Sequence, residues 1–305
     1  MRLVLLGSGA FALPTFEVLA QRHDIPLVVS QPDRPAGRSR QATPTPVANW
    51  AMNRGLNTRR PADINEAHEA TCIGQVEADA WVVIAYGQKL SEELLANRFA
   101  INLHGSLLPR WRGAAPINHA MLAGDEVTGV SVITLASTMD AGEVLVATKC
   151  DIDPTATAGE LHDTLAALGP DLILDVLSRH EQGTLSGIEQ DPAAVTLAPK
   201  LSRRDATLEL LDAKKAVGRI NGLSPWPGVD AVIDGHRVRL VRAMVSAELS
   251  PSDMVMPDGH VGCQHGQLQL LEVQPPGKRV MAFSQWANGR RIDGPVSIAP
   301  FEMAP

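Results

Sequence analysis

Short apolar runs without polar alternation recur along the first half of the chain, separated by segments of helical period. RLVLLG at 2–7, IPLVVS at 25–30, DAWVVIAYG at 79–87 and AINLH at 100–104 are each rich in Val, Ile or Leu. Such runs predict strands covered on both faces. TFEVLAQ at 15–21 predicts a helix after the first of them. VSVITLAS at 130–137 and EVLVATKCDI at 143–152 flank the turn TMDAG and predict a hairpin at one edge of the sheet. Leu161, Leu165, Leu168, Leu172 and Val176 recur at spacings of three and four, which places a helix from Ala158 to about Arg179. The implied first domain, 1–185, is an open, mostly parallel α/β sheet.

The pattern then lapses. Residues 186–204 show no apolar period and read as a linker before a second domain at 205–305. That domain has another texture. The helix-like DAKKAVGRINGL precedes SPWPG, and AVIDGHRVRLVRAMV forms a hairpin pattern with Asp234-Gly235 at its turn. Short glycine-punctuated runs follow in VMPDGHVGCQHGQLQLLEVQ, which predicts a small β-barrel or open sheet.

Composition narrows the possibilities. With 45% apolar residues in 305, the chain has ample material for packed cores. Cys72, Cys150 and Cys263 stand far apart, so neither a disulfide framework nor a zinc ribbon is expected. MRLVLLGSGAFALP imitates a secretory signal, but its apolar run is short, glycine-broken and followed by a helix-like segment. No stretch reaches the roughly 18 apolar residues of a membrane helix. These features predict a soluble, cytoplasmic protein.

A net charge of −7 argues at first against a nucleic-acid partner, yet its distribution is uneven. Residues 1–200 hold 15 Lys+Arg against 23 Asp+Glu, whereas 201–305 hold 12 against 11, so an acidic part is joined to a slightly basic one with room for a different partner.

Three stretches carry candidate chemistry. Gly7-Ser8-Gly9-Ala10-Phe11-Ala12 follows a strand and opens a helix, the loose form of a dinucleotide fingerprint. A nicotinamide-dependent oxidoreductase is therefore a competitor, although no acidic residue stands at the second strand's tip to meet a ribose. QPDRPAGRSRQATPTP at 31–46 contains four prolines and three arginines and predicts a long loop, a mobile basic arm of Arg34, Arg38 and Arg40 able to follow phosphates. In INLHGSLLPRWRGAAP at 101–116, Asn102 and His104 point to one strand face while Ile101 and Leu103 pack on the other. Both polar residues lie at a strand's carboxyl end, where open α/β sheets place their crevices. Asp140, in the turn after another strand, is the carboxylate available to hold the imidazole. An amide, an imidazole and a carboxylate together can donate to an oxyanion and move protons, as acyl transfer without a covalent intermediate requires. His119, His162, His260 and His265 show no strong metal spacing, and no metal is expected.

INLHGSLLPRWRGAAPI, with QPDRPAGR before it and DAG after it, closely resembles the formyltransferases that use 10-formyltetrahydrofolate. The resemblance extends through AYG at 85–87, APKL at 198–201, PWPG at 225–228 and QPPGKRVM at 274–281; the last two point to the branch acting on charged initiator tRNA. It implies a Rossmann-like first domain and an OB-like barrel behind it. It further implies that Asn102, His104 and Asp140 are catalytic, and that Ser106, Leu107, Leu108, Pro109, Ala85, Tyr86 and Gly87 line the folate site. Arg34, Arg38 and Arg40 would meet the tRNA acceptor region, with Lys200, Arg203, Arg204, Lys214, Lys215, Lys278 and Arg279 supplying phosphate contacts, in a monomer without metal. The chain departs from the family pattern at Leu197, where tyrosine is common, at Leu210, where tryptophan often stands, and at Glu143, which replaces an aspartate. A same-fold enzyme acting on a small amine, such as a sugar nucleotide or glycinamide ribonucleotide, stays open, as does a non-catalytic RNA-binding protein.

Overall fold

In the computed structural model, which describes residues 1–36 and 41–301, the apolar runs of the first half become neighbouring strands. In chain order they are β1 (Arg2–Gly7), β2 (Asp24–Val29), the short β3 (Arg34–Ala36), β4 (Gln41–Thr43) and β5 (Thr58–Arg59), then β6 (Ala80–Ile84), β7 (Ala100–His104), the two-residue β8 (Arg112–Gly113), β9 (Val127–Thr134) and β10 (Val144–Asp151). Seven of them form one sheet in the order β10-β9-β7-β6-β1-β2-β5. From β1 to β7 its pairings are parallel, and β9 runs antiparallel to β7. The chain moves from β1 outward to β2 and β5 and then returns to β6 on the other side of β1. That reversal opens a crevice at the carboxyl ends of the central strands, the usual ligand position in open α/β sheets. β9 and β10 form the expected edge hairpin, and β10 from Val146 onward alternates half-buried and exposed residues as an edge strand should.

Burial explains the unalternated sequence. Val4, Leu6, Leu27, Val29, Trp81 and Val83 share one core cluster, while Leu3, Leu5 and Val28 are equally buried. The helices of this half are α1 (Leu13–Arg22), α2 (Pro46–Asn53), α3 (Ala67–Gly74), α4 (Glu92–Leu95), α5 (Pro116–Ala123) and α6 (Ala158–Glu181). Gly7 is a packing glycine. A Cβ there would stand 2.6 Å from the Phe16 ring and 2.9 Å from the Ile84 carbonyl, so α1 approaches the sheet only because the side chain is missing.

The proline-arginine stretch is more ordered than a long loop. β3 and β4 pair antiparallel, Arg34 opposite Thr43 and Pro35 opposite Ala42. Pro46 starts α2, whose first turn is capped by Thr45 Oγ1 accepting from the Ala48 N–H at 3.1 Å. An exposed two-stranded ribbon has no apolar face to bury, which is why it leaves no period in the sequence. Arg34 is exposed on this ribbon, whereas Arg38 and Arg40 lie outside the described residues.

The remaining strands are β11 (Leu197–Ala198), β12 (Val229–Ile233), β13 (His236–Ser246), β14 (Met254–Val255), β15 (His260–Gly262), β16 (Gln267–Gln274), β17 (Met281–Ala282) and β18 (Val296–Pro300); the helices are α7 (Ala213–Gly222) and α8 (Phe283–Arg290). β13-β12-β18-β14-β15-β16 close into a six-stranded barrel because β16 pairs back onto β13. The predicted hairpin turns at Asp234-Gly235, both with positive φ. Val229, Ala231, Ile233, Val238, Leu240, Leu268, Leu270 and Val273 fill the interior. Where β13 slips register beside Arg242 and Ala243, the backbone of Ala243 is paired by a side chain instead. Asn221 Oδ1 accepts from Ala243 N at 2.8 Å, and its Nδ2 donates to Ala243 O at 2.9 Å.

The boundaries differ from the expected 1–185, 186–204 and 205–305. One compact unit comprises Met1–Gly113, Gly129–Cys150 and Asp163–Leu197; the other comprises Ala114–Thr128, Asp151–His162 and Ala198–Pro305. Within the second unit α5 packs on α7, where a Cβ at Gly222 would come within 2.9 Å of Met121 Cβ. The expected linker is divided. Its part up to Leu197 is stitched to the first unit by a bridge between Val144 and Ile188 and by the buried side chain of Gln190. Backbone and polar bonds do this work, so apolar periodicity could not reveal it. Leu197 is exposed, and Leu210 is half-buried against the barrel core.

A polar knot also secures the second unit. Arg242 donates to Glu160 Oε1 at 2.6 Å, to Glu272 Oε2 at 2.9 Å and to the Thr155 carbonyl at 2.8 Å. The Arg242 hydrogen bonds, helped by the Thr157 N–H, hold the Glu160 carboxyl at about 2, below the ordinary 4.5. A depressed carboxylate stabilises the fold above its unfolded pKa and stops doing so as pH falls through the folded value. Glu160 is half exposed, so water limits the effect to about 1 kcal/mol. Arg242→Met is expected to lower Tm at neutral pH and to reduce the steepness of acid destabilisation between pH 4.5 and 2; an unchanged pH profile of Tm would remove the knot's assigned role.

Candidate active site

β7 carries the site. Asn102 sits between Val83 of β6 and Ile133 of β9, and His104 lies opposite Ser131. Ile101 and Leu103 are buried on the opposite face, and a Cβ at Gly169 of α6 would stand 2.5 Å from Leu103 Cδ2. The helix covers that face closely, which leaves Asn102 and His104 to face the crevice side. Asn102 is half-buried and His104 is 6% exposed. A nearly buried imidazole needs partners.

His104 has two. Its Nε2 is 2.9 Å from the Trp111 carbonyl oxygen, which can only accept, so Nε2 carries the proton in this hydrogen bond. Its Nδ1 is 3.7 Å from Asp140 Oδ2, close enough for charge interaction and longer than a hydrogen bond. The carbonyl of Trp111 orients the ring, and Asp140, the carboxylate expected to hold the imidazole, faces its other nitrogen. Asp140 itself is placed by the Gly113 N–H, which donates to Oδ2 at 2.8 Å. Its backbone adopts φ +54°, the left-handed region that aspartate tolerates better than most residues. The turn it heads is fixed by Gly142, where a Cβ would stand 1.8 Å from the Thr134 carbonyl oxygen.

The SLLP turn follows at once. Ser106 is fully buried and donates its hydroxyl to the Arg110 carbonyl at 2.6 Å. Ser131 Oγ donates to the Ser106 carbonyl at 2.8 Å and accepts from Leu108 N at 3.1 Å. Ser106 thus shapes the turn with its hydroxyl. Leu107 and Pro109 are half-buried, and Leu108 is buried with a cis bond to Pro109. Across the central strands, Ala85 and Gly87 are exposed at φ +48° and +87°. Tyr86 is different: its side chain is 2% exposed within the core, so only its backbone can border the crevice. Its carbonyl accepts from Ser8 Oγ at 2.9 Å. Burial, together with the nearby Asp63 and Glu69 carboxylates, pushes the Tyr86 hydroxyl well above its ordinary range.

The glycine turn does not offer a dinucleotide site. The N–H groups of Ser8 and Gly9 both donate to the Ala85 carbonyl, at 3.2 and 3.3 Å, and are committed where a phosphate would need them. Asp33, near the end of β2, pairs with Arg60. On the barrel, Glu248, Asp258 and His260 form the one group of three possible metal ligands among the described residues. Both carboxylates are exposed, and His260 Nδ1 already lies 3.0 Å from Asp258 Oδ1, which also accepts the His260 backbone N–H.

Sequence reasoning missed three contributors. Trp111 and Gly113 act through their backbones, for which side-chain chemistry gives no signal, and Gln190 lies in the aperiodic stretch taken for a linker. Its Nε2 donates to the carbonyls of Asp140 and Gly142, at 2.8 and 2.7 Å. The expected cations Lys200, Arg203, Arg204, Lys214, Lys215, Lys278 and Arg279 are all exposed in the second unit. Among the described residues none of them forms an ion pair, whereas Arg237, Arg239 and Arg242 are engaged with Asp230, Glu160 and Glu272. No helix among the described residues is long and apolar enough to cross a membrane.

Two family models match the chain that carries this site: residues 1–177 match "Formyl transferase" and residues 200–291 match "Formyl transferase, C-terminal domain". The chain belongs to the formyl transferase family. Within it, full-length relatives are methionyl-tRNA formyltransferases: that of Methylococcus capsulatus is 38% identical over 303 residues, covering 96% of this chain and 98% of the relative, and that of Jannaschia sp. is 36% identical with the same coverage. Solved structures share the fold at much lower identity. A sugar 3N-formyl transferase crystallised with dTDP and 5-N-formyl-THF superposes with TM-score 0.70 at 12% identity, covering 92% of this chain and 99% of that one. HypX from Aquifex aeolicus in complex with tetrahydrofolic acid gives 0.64 at 14%, covering 94% of this chain and 46% of that one.

Proposed function

We propose that the chain transfers the formyl group of 10-formyltetrahydrofolate to the α-amino group of methionine carried by initiator tRNA, working as a monomer in the cytoplasm. Full-length similarity to methionyl-tRNA formyltransferases supports the substrate pair. The observation that carries the chemistry is the paired environment of His104, with a carbonyl on one ring nitrogen and a carboxylate facing the other.

Asn102, His104 and Asp140 are the catalytic group in this reading. Asn102 donates its amide to the oxygen that gains charge as the amine adds to the formyl carbon. His104 takes the proton that the attacking nitrogen must lose, Asp140 stabilises the resulting imidazolium, and the proton leaves toward N10 as its bond to the formyl carbon breaks. A new carbon–nitrogen bond forms and the old one breaks, with no redox change. Folate supplies the activated formyl group. Leu107, Leu108, Pro109, Ala85, Gly87, the backbone of Tyr86 and the turn set by Ser106 line its place. The fit has a specific sign: Gln31 Nε2 is buried without a partner among the described residues and lies 3.9 Å from the position a Gly87 Cβ would take. A ligand acceptor bound beside Gly87 would satisfy that donor. Arg34, Arg38 and Arg40 and the seven cations of the second unit meet tRNA phosphates.

The test is formylation of methionyl initiator tRNA with 10-formyltetrahydrofolate, with uncharged tRNA, elongator methionyl-tRNA and amino-sugar nucleotides as controls. Formyl transfer to the charged initiator alone is expected. Transfer to an amino-sugar nucleotide with none to the tRNA would overturn the substrate assignment and leave the formyl transfer chemistry standing.

A further inference from the structure

We infer that Gln190 and Arg112 are positioning residues that hold the Asp140 turn against His104, a role resting on the catalytic reading above. Asp140 at φ +54° occupies the sparsely populated left-handed region. Gln190 braces the turn there. Its single amide nitrogen donates to the carbonyls of Asp140 and Gly142, at 2.8 and 2.7 Å, and so grips the turn on both sides of Ala141. The amide oxygen accepts from Arg112 Nε at 2.9 Å. Both N–H groups and the oxygen of this 9% exposed side chain are therefore used.

Arg112 links that grip to the imidazole. It stands between Trp111, whose carbonyl receives the His104 Nε2 proton, and Gly113, whose N–H donates to Asp140 Oδ2. Its own backbone N–H donates to the Thr196 carbonyl at 2.9 Å, and Thr196 Oγ1 accepts from Trp111 N at 2.8 Å. The segment from Gln190 to Thr196 thus fixes both residues that touch His104 and the turn that bears Asp140. Chemistry restricts the side chain at 190. Two donors must face two carbonyls while one acceptor faces a guanidinium, and a glutamate of equal size would keep the arginine but set its charge against both carbonyl oxygens.

Steady-state kinetics of Gln190→Glu with charged initiator tRNA test this. The expected result is a kcat lowered about tenfold to a hundredfold, the scale of a small misplacement of a catalytic group, with the KM for the folate co-substrate unchanged. Arg112→Met is expected to do the same with Gln190 intact, and Arg112→Lys to recover part of the loss; this pair carries the test if Gln190→Glu does not fold. The discriminating measurement is a double-mutant cycle with Asp140→Asn. Once the carboxylate is gone, Gln190→Glu should add no further loss in kcat. A full additional loss in that background, or wild-type kcat in folded Gln190→Glu and Arg112→Met proteins, would overturn the positioning role. If Asp140→Asn alone leaves kcat at the wild-type level, the catalytic assignment fails instead.

Discussion

His104→Ala is expected to lower kcat for formylation of methionyl initiator tRNA by about a hundredfold to a thousandfold, within the usual contribution of a positioned general base. Two features of the site support so large an effect. The imidazole is buried and held at Nε2 by the Trp111 carbonyl, so no mobile surface histidine or bulk buffer replaces it in the same geometry. Its other nitrogen faces Asp140, so loss of the ring also leaves that carboxylate without its cationic partner during the reaction. The KM for tRNA should change little, because the phosphate contacts lie on other residues. Rapid-quench formylation with a folded His104→Ala protein, its fold checked by circular dichroism and its Tm, is the measurement. Turnover near the wild-type rate would remove His104 from the chemistry. Asn102→Ala tests the oxyanion donor by the same criterion, and a combined loss smaller than the product of the two would show that they act as one unit.

Much of this site was legible because β7 breaks the burial pattern of its own sheet. Strands covered on both faces leave little room for polar residues, so Asn102 and His104 two positions apart indicate a shared polar environment at a strand end. Asp140 was legible from its place in the turn after another strand. The parts that escaped share a physical cause: their contributions are made through backbone groups or through one isolated side chain. The carbonyl of Trp111 and the N–H of Gly113 exist whatever the side chains are. Gln190 sits in a stretch without an apolar period, yet its side chain is buried. Tyr86 shows the converse. The family resemblance placed this residue at the folate site, but the ring lies in the core with Leu90 and Leu94. The ribbon of β3 and β4 was illegible for another reason, since short pairings exposed on both faces leave no hydrophobic alternation. The barrel was readable as turns and short strands, although its closure depends on β16 pairing with β13, a contact between residues such as Val245 and Leu268 that no local pattern encodes.

Binding of charged initiator tRNA is expected to fall steeply with salt even though the protein carries a net charge of −7. The net charge misleads because charge is distributed unevenly and much of it is internally paired. Arg237 and Arg239 share the Asp230 carboxylate, and Arg242 is paired with Glu160 and Glu272. Lys200, Arg203, Arg204, Lys214, Lys215, Lys278 and Arg279 form no ion pair among the described residues, and all seven are exposed. They release counterions from a polyanion without first breaking an internal bond. Each phosphate neutralised contributes about −0.9 to the slope of log K against log salt, so four such contacts would lower affinity by about two orders of magnitude between 50 and 200 mM salt. Equilibrium binding measured across that range should give a straight line of this steepness. Lys278→Ala should make the slope shallower by about one and weaken binding without changing kcat at saturating tRNA. Arg237→Ala, which removes a cation already paired with Asp230, should leave the slope as it was. A flat salt dependence, or equal slope changes for the paired and unpaired cations, would show that the second unit does not bind tRNA through these groups.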